Sequence, residues 1–392
     1  MARDVVIVGA ARTPIGSFLG TLSSLTAPQL GAIAIRAALE RAGVEPGKVE
    51  EVWMGNVLQA GQGQAPGRQA SLGAGIPDTV PTNTLNKMCG SGLKAIISGA
   101  QAIALGEAEV IVAGGFESMS NAPYLSLNMR QGARMGTVEM KDHMVWDGLT
   151  DVYSNQHMGM CAEACAEQFK ISRAAQDEFA LDSTNRAIRS QKEGLFKAEI
   201  VPVPVPQKKG EPVMVADDEG PKNARPEKIA TLKPVFKKDG TVTAANASSI
   251  NDGGAAVVLM SAERAKAEGK TVLGRITGYT TAARKPVEFT IAPADAIRKL
   301  FERTKTTAGD IDLWEINEAF AVVAIANNQL LKLDPSRVNI RGGATSLGHP
   351  IGASGARVLI TLLYTMKDTG KKRGVASLCI GGGEGIALMV ER

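Results

Sequence analysis

Short apolar runs alternate with stretches of helical periodicity along most of the chain. Continuous apolar runs such as DVVIVG (residues 4–9) and EVWMGN (51–56) are typical of buried strands, and the segment between them predicts a helix over 28–42. A second helix is predicted from about residue 90 to Gly106, where the apolar face ends and the strand EVIVAGG begins. This alternation predicts the α/β class, with mostly parallel sheets covered by helices.

The pattern occurs twice, and the two copies share sequence. Three segment pairs carry the similarity: AIRAALER (34–41) with AIRKLFER (296–303), VWMGNVLQA (52–60) with LWEINEAFA (313–321), and GSGLKAII (90–97) with ASGARVLI (353–360). Their offsets of 262, 261 and 263 residues are nearly constant and keep the same order. The chain is therefore predicted to be a duplicated α/β protein whose two packed sheets make a five-layered core.

A long segment of different texture separates the copies. It is Met-rich near its start, has helical patterns at about 158–170 and 173–193, and includes the charged run KKGEPVMVADDEGPKNARPEK. Because it is too long for a plain loop, we expect a functional insertion. The predicted division is a first half at 1–119 and 250–270, an inserted loop domain at 120–249, and a second half at 271–392.

Composition and charge narrow the class of function. The 392 residues are 44% hydrophobic, and the formal net charge is only +4, from 44 basic and 40 acidic residues. No long basic block is present, so nucleic-acid binding is not expected, and a small anionic partner fits better. The N-terminus enters a strand at once and no apolar stretch of 18 residues stands out, so we expect a cytoplasmic protein without a membrane span.

Four cysteines are too few for a disulfide framework, which favours free thiols. Cys161 and Cys165 are four residues apart on a predicted helix. With only three histidines in the chain, a metal site there is improbable, and helix packing is the better interpretation.

Cys89 stands at the start of the helix that begins near residue 90. Glycines beside it allow close backbone approach, and the first-turn N–H groups should favour a thiolate by about one pKa unit. A base must complete the activation. His349 precedes the helix that the duplication pairs with this one, so the two side chains are predicted to meet. Cys379 ends a strand before GGGEG, where α/β sheets host chemistry.

Six ordered motifs resemble the thiolase family over the whole chain. They are NKMCGSGLKA, GGFESMS, TVTAANASSINDGGAA, INEAF, GGATSLGHPIGASGAR and CIGGGEG. The resemblance implies a five-layered αβαβα fold of two like halves with an inserted loop domain. It also implies a homotetramer that acts on acyl-CoA and CoA, with coenzyme A as substrate and product rather than cofactor and with no metal.

The resemblance assigns a role to each catalytic position. Cys89 would be the nucleophile that carries the acetyl group, and His349 would accept its proton. Cys379 would exchange the α-proton of the second acetyl-CoA. Asn317 would hold a water that forms, with His349, an oxyanion hole for the enolate, and the backbone N–H groups of Cys89 and Gly381 would form the second hole. This set meets the needs of a ping-pong Claisen condensation of two acetyl-CoA and of the reverse thiolysis.

Further positions are implied to bind the substrate. Most of these would line the pantetheine and acyl tunnel, where Met158 is typical of members restricted to short chains: Leu149, His157, Met158, Ser248, Ala319 and Phe320. Lys222 stands where the family often has an arginine that stacks on adenine, and lysine lacks that planar surface. Arg341, Thr345, Ser346 and the loop VEFTIAP (287–293) also depart from the family pattern.

Two alternatives remain open. One is a 3-ketoacyl-CoA thiolase of broader chain length, which a preference for longer thioesters would distinguish. The other is a non-catalytic acyl-CoA-binding protein of the same fold, which would bind CoA without becoming acetylated at Cys89.

Overall fold

The computed structural model describes residues 3–392, which form two halves of strands and helices with a long segment inserted in the first. The first half begins with β1 (Val5–Arg12), β2 (Gly16–Ser17), β3 (Glu51–Gly55), β4 (Thr82–Leu85), β5 (Val110–Ser118), α1 (Ala27–Ala42), α2 (Pro66–Gly73) and α3 (Ser91–Leu105). The inserted segment holds β6 (Tyr124–Leu125), β7 (Lys141–Asp142), β8 (Thr150–Asp151), β9 (Gln156–His157), β10 (Val203–Val205), β11 (Val213–Val215), α4 (Met158–Gln168), α5 (Arg173–Lys192) and α6 (Glu219–Asn223).

The chain then returns to the first half and continues into the second. The remaining elements are β12 (Asn251–Ser261), α7 (Ala262–Ala267), β13 (Gly274–Ala283), β14 (Leu313–Ile316), β15 (Arg373–Ile380), β16 (Glu384–Glu391), α8 (Ala292–Thr304), α9 (Ala321–Leu331), α10 (Ala344–Leu347) and α11 (Ile351–Thr369). The sequence repeat is reproduced in the structure, where the equivalent elements are α1 and α8, β3 and β14, and α3 and α11.

Local signals set the helix ends where the sequence predicts them. Thr26 and Gln29 form a capping box at the start of α1. The helices α1, α3 and α11 end at Gly43, Gly106 and Gly370, each in the left-handed conformation. The predicted boundaries of α1 and α3 are therefore confirmed to within one or two residues.

Most strands within each half run in the same direction. Each half also has an antiparallel strand between two others, so the sheets are less uniformly parallel than the sequence suggests. In the first half β1, β3, β4 and β5 run one way, and β12 lies antiparallel between β5 and β1. In the second half β16 is likewise antiparallel between β13 and β15. A short antiparallel pairing of Val5–Ile7 with Gly274–Ile276 joins the two sheets into one continuous strand order.

The helices and the two sheets stack in five layers, and α3 and α11 form the central layer. One apolar core includes residues of α3, α11 and strands of both sheets, while α1 and α8 cover the outer faces. The central position of α3, with most of its residues buried, explains why the window Met88–Leu105 is apolar enough to match a membrane span by length and composition. The expectation that no such stretch exists was wrong, and 61% of this window is buried within the fold.

Glycines let the two central helices meet at their N-terminal ends. A Cβ at Gly92 would lie 2.8 Å from the backbone nitrogen of Ala356, and one at Gly355 would lie 2.3 Å from that of Leu93. Side chains there would force the helices apart. The glycine-rich sequences before α3 and α11 therefore bring Cys89 and His349 to one region.

Candidate active site

Cys89 lies in a tight turn between β4 and α3. Met88 before it has φ of 45°, a conformation that non-glycine residues seldom adopt. Ser91 stabilises the turn, because its Oγ accepts from the backbone N–H of Lys87 at 2.8 Å and donates to the carbonyl of Met88 at 2.6 Å. The turn places the Cys89 side chain against a cavity, where it is only partly buried.

The electrostatics of Cys89 differ from the sequence expectation. Burial raises the pKa of the Cys89 thiol to about 11, and the negative charge of Glu117 contributes to the rise. Backbone N–H groups of Gly381 and of Cys89 itself donate to the sulfur and oppose that rise. The prediction of a lowered thiol pKa was therefore wrong, because desolvation outweighs the helix N-terminus. The need for a base stands.

His349 is held in one orientation just before α11. Gly348 adopts φ of 103°, and the backbone N–H of His349 donates to Asn251 Oδ1 at 2.9 Å. Ser354 Oγ donates to the carbonyl of Pro350 at 2.9 Å and lies 2.6 Å from His349 Nδ1. Since the serine proton points to Pro350, this geometry favours the ring proton on Nδ1 in the resting site, which leaves Nε2 as the nitrogen that can accept a proton.

The imidazole of His349 rests in its neutral form. Burial lowers the pKa of His349 to about 3, and the nearby guanidinium of Arg357 lowers it further. Only 5% of the side chain is exposed. A neutral ring with a free Nε2 can accept a proton from a neighbouring thiol.

Asn317 directly follows β14, and Cys379 lies near the end of the neighbouring strand β15. The amide nitrogen of Asn317 lies 3.4 Å from both ring nitrogens of His349, and its Oδ1 accepts from Arg357 at 3.4 Å. Cys379 is fully buried at the end of β15. Burial, followed by the neighbouring Cys89, raises the pKa of the Cys379 thiol well above its usual range. The structure thus brings these four side chains and Gly381 together.

A cavity of about 380 Å³ leads to Cys89. It is mainly apolar, and all six residues predicted for the tunnel line it: Leu149, His157, Met158, Ser248, Ala319 and Phe320. The His157 ring stacks on Phe236 with 4.6 Å between centroids, and its Nδ1 caps α4 by accepting from Gly159. Phe236 and Phe289 add apolar walls that sequence reasoning did not identify. A flexible chain with a reactive end fits this shape.

A second cavity of about 310 Å³ shares Ala244 and Ser249 with the first. Arg225 and Lys228 line it, as do Thr345 and Ser346. Lys222, which was expected at an adenine ring, is exposed on α6 and lines neither cavity. The positive charges beside this space therefore come from two residues that sequence reasoning did not single out.

The other two thiols lie in a packed core. Cys161 and Cys165 are buried on α4 against α9, as expected for helix-packing residues. Among residues 3–392, no group of three His, Cys, Asp or Glu side chains is placed to hold a metal ion.

Comparisons with known proteins agree with this geometry. Residues 5–263 match the family model "Thiolase, N-terminal domain" and residues 270–392 match "Thiolase, C-terminal domain". The chain belongs to the thiolase family. The acetyl-CoA acetyltransferase of Cupriavidus necator is 54% identical over 390 residues, covering 99% of both chains, and acetyl-CoA acetyltransferase 1 of Arabidopsis thaliana is 53% identical, covering 99% of this chain and 94% of its own.

A solved structure gives the same result for the fold of this thiolase. The crystal structure of the Bacillus anthracis acetyl-CoA acetyltransferase superposes with a TM-score of 0.97 at 44% identity, covering 100% of this chain and 99% of the other. The predicted αβαβα thiolase fold is confirmed.

Two of the residues at which this thiolase departs from the family pattern, Arg341 and Thr345, have local partners. Arg341 is buried, donates to the carbonyl of Leu195 at 2.8 Å and pairs with Asp368. Thr345 Oγ1 donates to Glu318 at 2.6 Å. The loop around His349 is therefore held by hydrogen bonds of its own.

Sequence reasoning missed three buried polar residues of the site. Ser354 orients His349, Arg357 lies beside Asn317, and Glu117 lies close enough to Cys89 to affect its pKa. One signal was present, since Glu117 belongs to the motif GGFESMS and Ser354 and Arg357 to GGATSLGHPIGASGAR.

Proposed function

We propose that this thiolase is an acetyl-CoA C-acetyltransferase that condenses two acetyl-CoA to acetoacetyl-CoA and CoA and catalyses the reverse thiolysis. The observation that carries the proposal is a largely apolar cavity lined by the thiol of Cys89 and the imidazole of His349, with a second buried thiol, Cys379, near enough to interact with Cys89. The relatives named acetyl-CoA acetyltransferase over nearly their full length support the same activity.

In the first half-reaction the Cys89 sulfur attacks the thioester carbonyl of acetyl-CoA. The thiol proton passes to Nε2 of His349, the C–S bond to CoA breaks, and the CoA sulfur leaves with that proton. Negative charge develops on the carbonyl oxygen during attack. The N–H groups of Cys89 and Gly381, which already converge on the sulfur, are the donors that would stabilise it.

In the second half-reaction another acetyl-CoA loses an α-proton and attacks acetyl-Cys89. Cys379, acting as the thiolate, takes that proton, a new C–C bond forms, and the Cys89 sulfur leaves with a proton returned by Cys379, which gives acetoacetyl-CoA. The enolate oxygen needs a second set of donors, for which we assign a water held by Asn317 and, in the tautomer with its ring proton on Nε2, His349. In thiolysis each step runs backwards, and CoA receives the acetyl group.

The two adjoining cavities suggest how coenzyme A binds. The tunnel of about 380 Å³ would take the pantetheine arm and the acetyl group, with Met158 limiting the acyl length. The second cavity would take the nucleotide end, where Arg225 and Lys228 suit its phosphates. We assign these two residues, rather than Lys222, the main charge contacts.

The test is loss of acetoacetyl-CoA in the presence of CoA, followed by the absorbance of its enolate. We expect turnover in the wild type, none in Cys89→Ser, and a mass increase of one acetyl group on Cys89 after exposure to acetyl-CoA. Wild-type protein that neither turns over nor becomes acetylated would refute the activity. Binding of CoA without acetylation would favour a non-catalytic acyl-CoA-binding protein.

We also propose that the protein is a homotetramer assembled through part of the inserted segment. The stretch 124–140 carries apolar side chains that are exposed in the single chain, among them Tyr124, Leu127 and Met135, the last at 100%. Sedimentation should give four times the chain mass of 41.0 kDa, and Met135→Glu should shift it to a smaller species. A monomeric wild type would contradict this assembly.

A further inference from the structure

The duplication places a second, unreactive copy of the site within the same core. Gly55 of β3 is paired with Gly115 of β5, and Ile316 of β14 is paired with Ser377 of β15. Two residues beyond each of these partners lie Glu117 and Cys379. Glu117 is therefore the structural counterpart of Cys379, as Asn56 is of Asn317 and Gly352 of Cys89.

Glu117 is enclosed by hydrogen-bond donors. Oε1 accepts from Asn56 Nδ2 at 2.7 Å and from the N–H of Leu58 at 3.2 Å. Oε2 accepts from the N–H groups of Val57 and Gly352, both at 3.0 Å. The side chain is fully buried. Four N–H donors leave no acceptor for a carboxyl proton, so the geometry favours the charged form, although burial raises the pKa of Glu117 to about 7.

These contacts join the two halves beside both reactive groups. Gly352 lies in the first turn of α11, three residues after His349, whereas Asn56, Val57 and Leu58 belong to the first half. The approach is close, because a Cβ at Gly352 would lie 2.7 Å from Glu117 Oε2. Glu117 also lies near enough to Cys89 for its charge to raise the thiol pKa.

We propose that Glu117 is a positioning residue of this enzyme: its buried carboxylate fixes the N-terminal end of α11, and with it His349, against the half that carries Cys89. The proposal rests on the proposed function for its kinetic consequence only. Its second consequence, a charge beside the Cys89 sulfur, is measurable on the resting protein.

Glu117→Gln tests both consequences. Glutamine turns an NH₂ group toward at least one of the four donors, so His349 should shift, and we expect kcat for thiolysis to fall tenfold or more because small misplacements cost that much. The KM for CoA should change less than threefold, since Glu117 lies outside the tunnel lining. Alkylation of Cys89 by iodoacetamide, followed by peptide mass against pH, should rise at lower pH than in the wild type.

The other titratable groups near Glu117 and Cys89 are the same in the wild type and in Glu117→Gln. Asp252 on β12 acts on Glu117, and Cys379 on β15 is coupled to Cys89. His349 precedes α11. None is altered in the variant, and peptide mapping separates Cys89 from the buried thiols.

Glu163→Gln is the matched control. Glu163 is also a buried carboxylate with several N–H and O–H donors, from Thr241 and Val242, but it lies on α4 away from the two halves' junction. We expect a comparable loss of thermal stability without a shift in Cys89 alkylation. The same shift in both variants, or no shift in Glu117→Gln, would overturn the proposal.

Glu117→Asp distinguishes the effect of the carboxylate charge from that of the side-chain length. It also provides a test if Glu117→Gln does not accumulate as folded protein. Aspartate keeps the charge but cannot span the same donors, so the alkylation profile should return toward wild type while kcat remains below it. Full wild-type kcat in this variant would refute the positioning role. An inactive wild type would refute the activity instead and leave the alkylation result to decide on Glu117.

Discussion

The two pseudo-equivalent junctions of the core have the same backbone plan and opposite chemistry. At the reactive junction, the start of α3 lies beside the end of β15, where Cys89 and Cys379 interact, and Asn317 at the end of β14 contacts His349. At the other, the start of α11 meets the ends of β3 and β5, with Gly352, Asn56 and Glu117 in the corresponding places. His349 before α11 corresponds to Asn86 before α3.

The difference lies in how fully each junction satisfies its polar groups. Glu117 uses its acceptors on four N–H donors, and Asn86 accepts from the backbone N–H of Met88 at 2.9 Å. At the reactive junction, Nε2 of His349 and the thiols of Cys89 and Cys379 have fewer hydrogen-bond partners than the carboxylate of Glu117 has. A buried network whose hydrogen bonds are all made is rigid. Polar groups that still lack hydrogen-bond partners can bind a substrate instead.

Cys379→Ser should have the largest effect of any change at the reactive junction. A hydroxyl is a far weaker acid than a thiol, so α-proton transfer should fail and thiolysis should fall by about 10³-fold or more. Acetylation of Cys89 by acetyl-CoA should survive within about tenfold, because that step needs no α-proton. Intact mass and steady-state rates measure the two. Equal loss of both would contradict the division of roles between the thiols.

His349 makes the reactive junction acid-sensitive in a way that Asn86 cannot. Its pKa of about 3 in the folded state lies below the value of about 6.5 expected when unfolded. The unfolded state binds more protons below pH 6.5, so stability is retained above that pH and lost as the pH falls toward 3.

Urea unfolding at two pH values measures this contribution. Between pH 7.5 and 5, we expect the wild type to lose on the order of 2 kcal/mol relative to His349→Gln. Equal losses in the two proteins would show that the histidine is not held neutral by burial.

The sequence predicted the reactive junction because its signals are local or repeated. Capping residues and glycines set the ends of α1, α3 and α11, and the near-constant offset identified the helix opposite Cys89. Motif resemblance then indicated Asn317, His349 and Cys379. None of this required knowledge of burial.

The remaining features depend on tertiary surroundings. The thiol pKa of Cys89 rises because the fold removes water from it, which helix position alone does not reveal. From the sequence alone, Glu117 cannot be distinguished from an ordinary acidic residue, because its hydrogen-bond donors come from both halves of the fold. The antiparallel place of β12 depends on the long connection through the inserted segment, which periodicity cannot order, whereas that of β16 depends on the tight turn at residues 381–383.

Ser354 and Ser91 give a matched pair for the role of orientation. They occupy equivalent places in α11 and α3, but Ser354 bonds an imidazole and Ser91 bonds only backbone groups. Ser354→Ala should lower kcat about tenfold with little change in KM, because Nδ1 loses the acceptor that fixes the tautomer.

Ser91→Ala should mainly cost stability, about 1 kcal/mol, because it removes hydrogen bonds of the turn. Rates and unfolding curves of the two variants decide the matter. A larger loss of kcat in Ser91→Ala than in Ser354→Ala would show that backbone placement of Cys89 matters more than the orientation of His349.

Met158→Ala should have the smallest effect and acts at the edge of the reactive junction. Met158 and Gly381 line both the tunnel of about 380 Å³ and a separate cavity of about 340 Å³ on the other side. Shortening the side chain should connect these spaces beside acetyl-Cys89. The ratio of kcat/KM for 3-ketohexanoyl-CoA to that for acetoacetyl-CoA should then rise about tenfold, the lower end of the range of roughly 10- to 200-fold expected for one methylene in an apolar pocket. Because Glu117 lies outside the tunnel lining, Cys89 alkylation should keep its wild-type pH dependence in Met158→Ala. A shift in that dependence would show that the tunnel and the carboxylate are coupled.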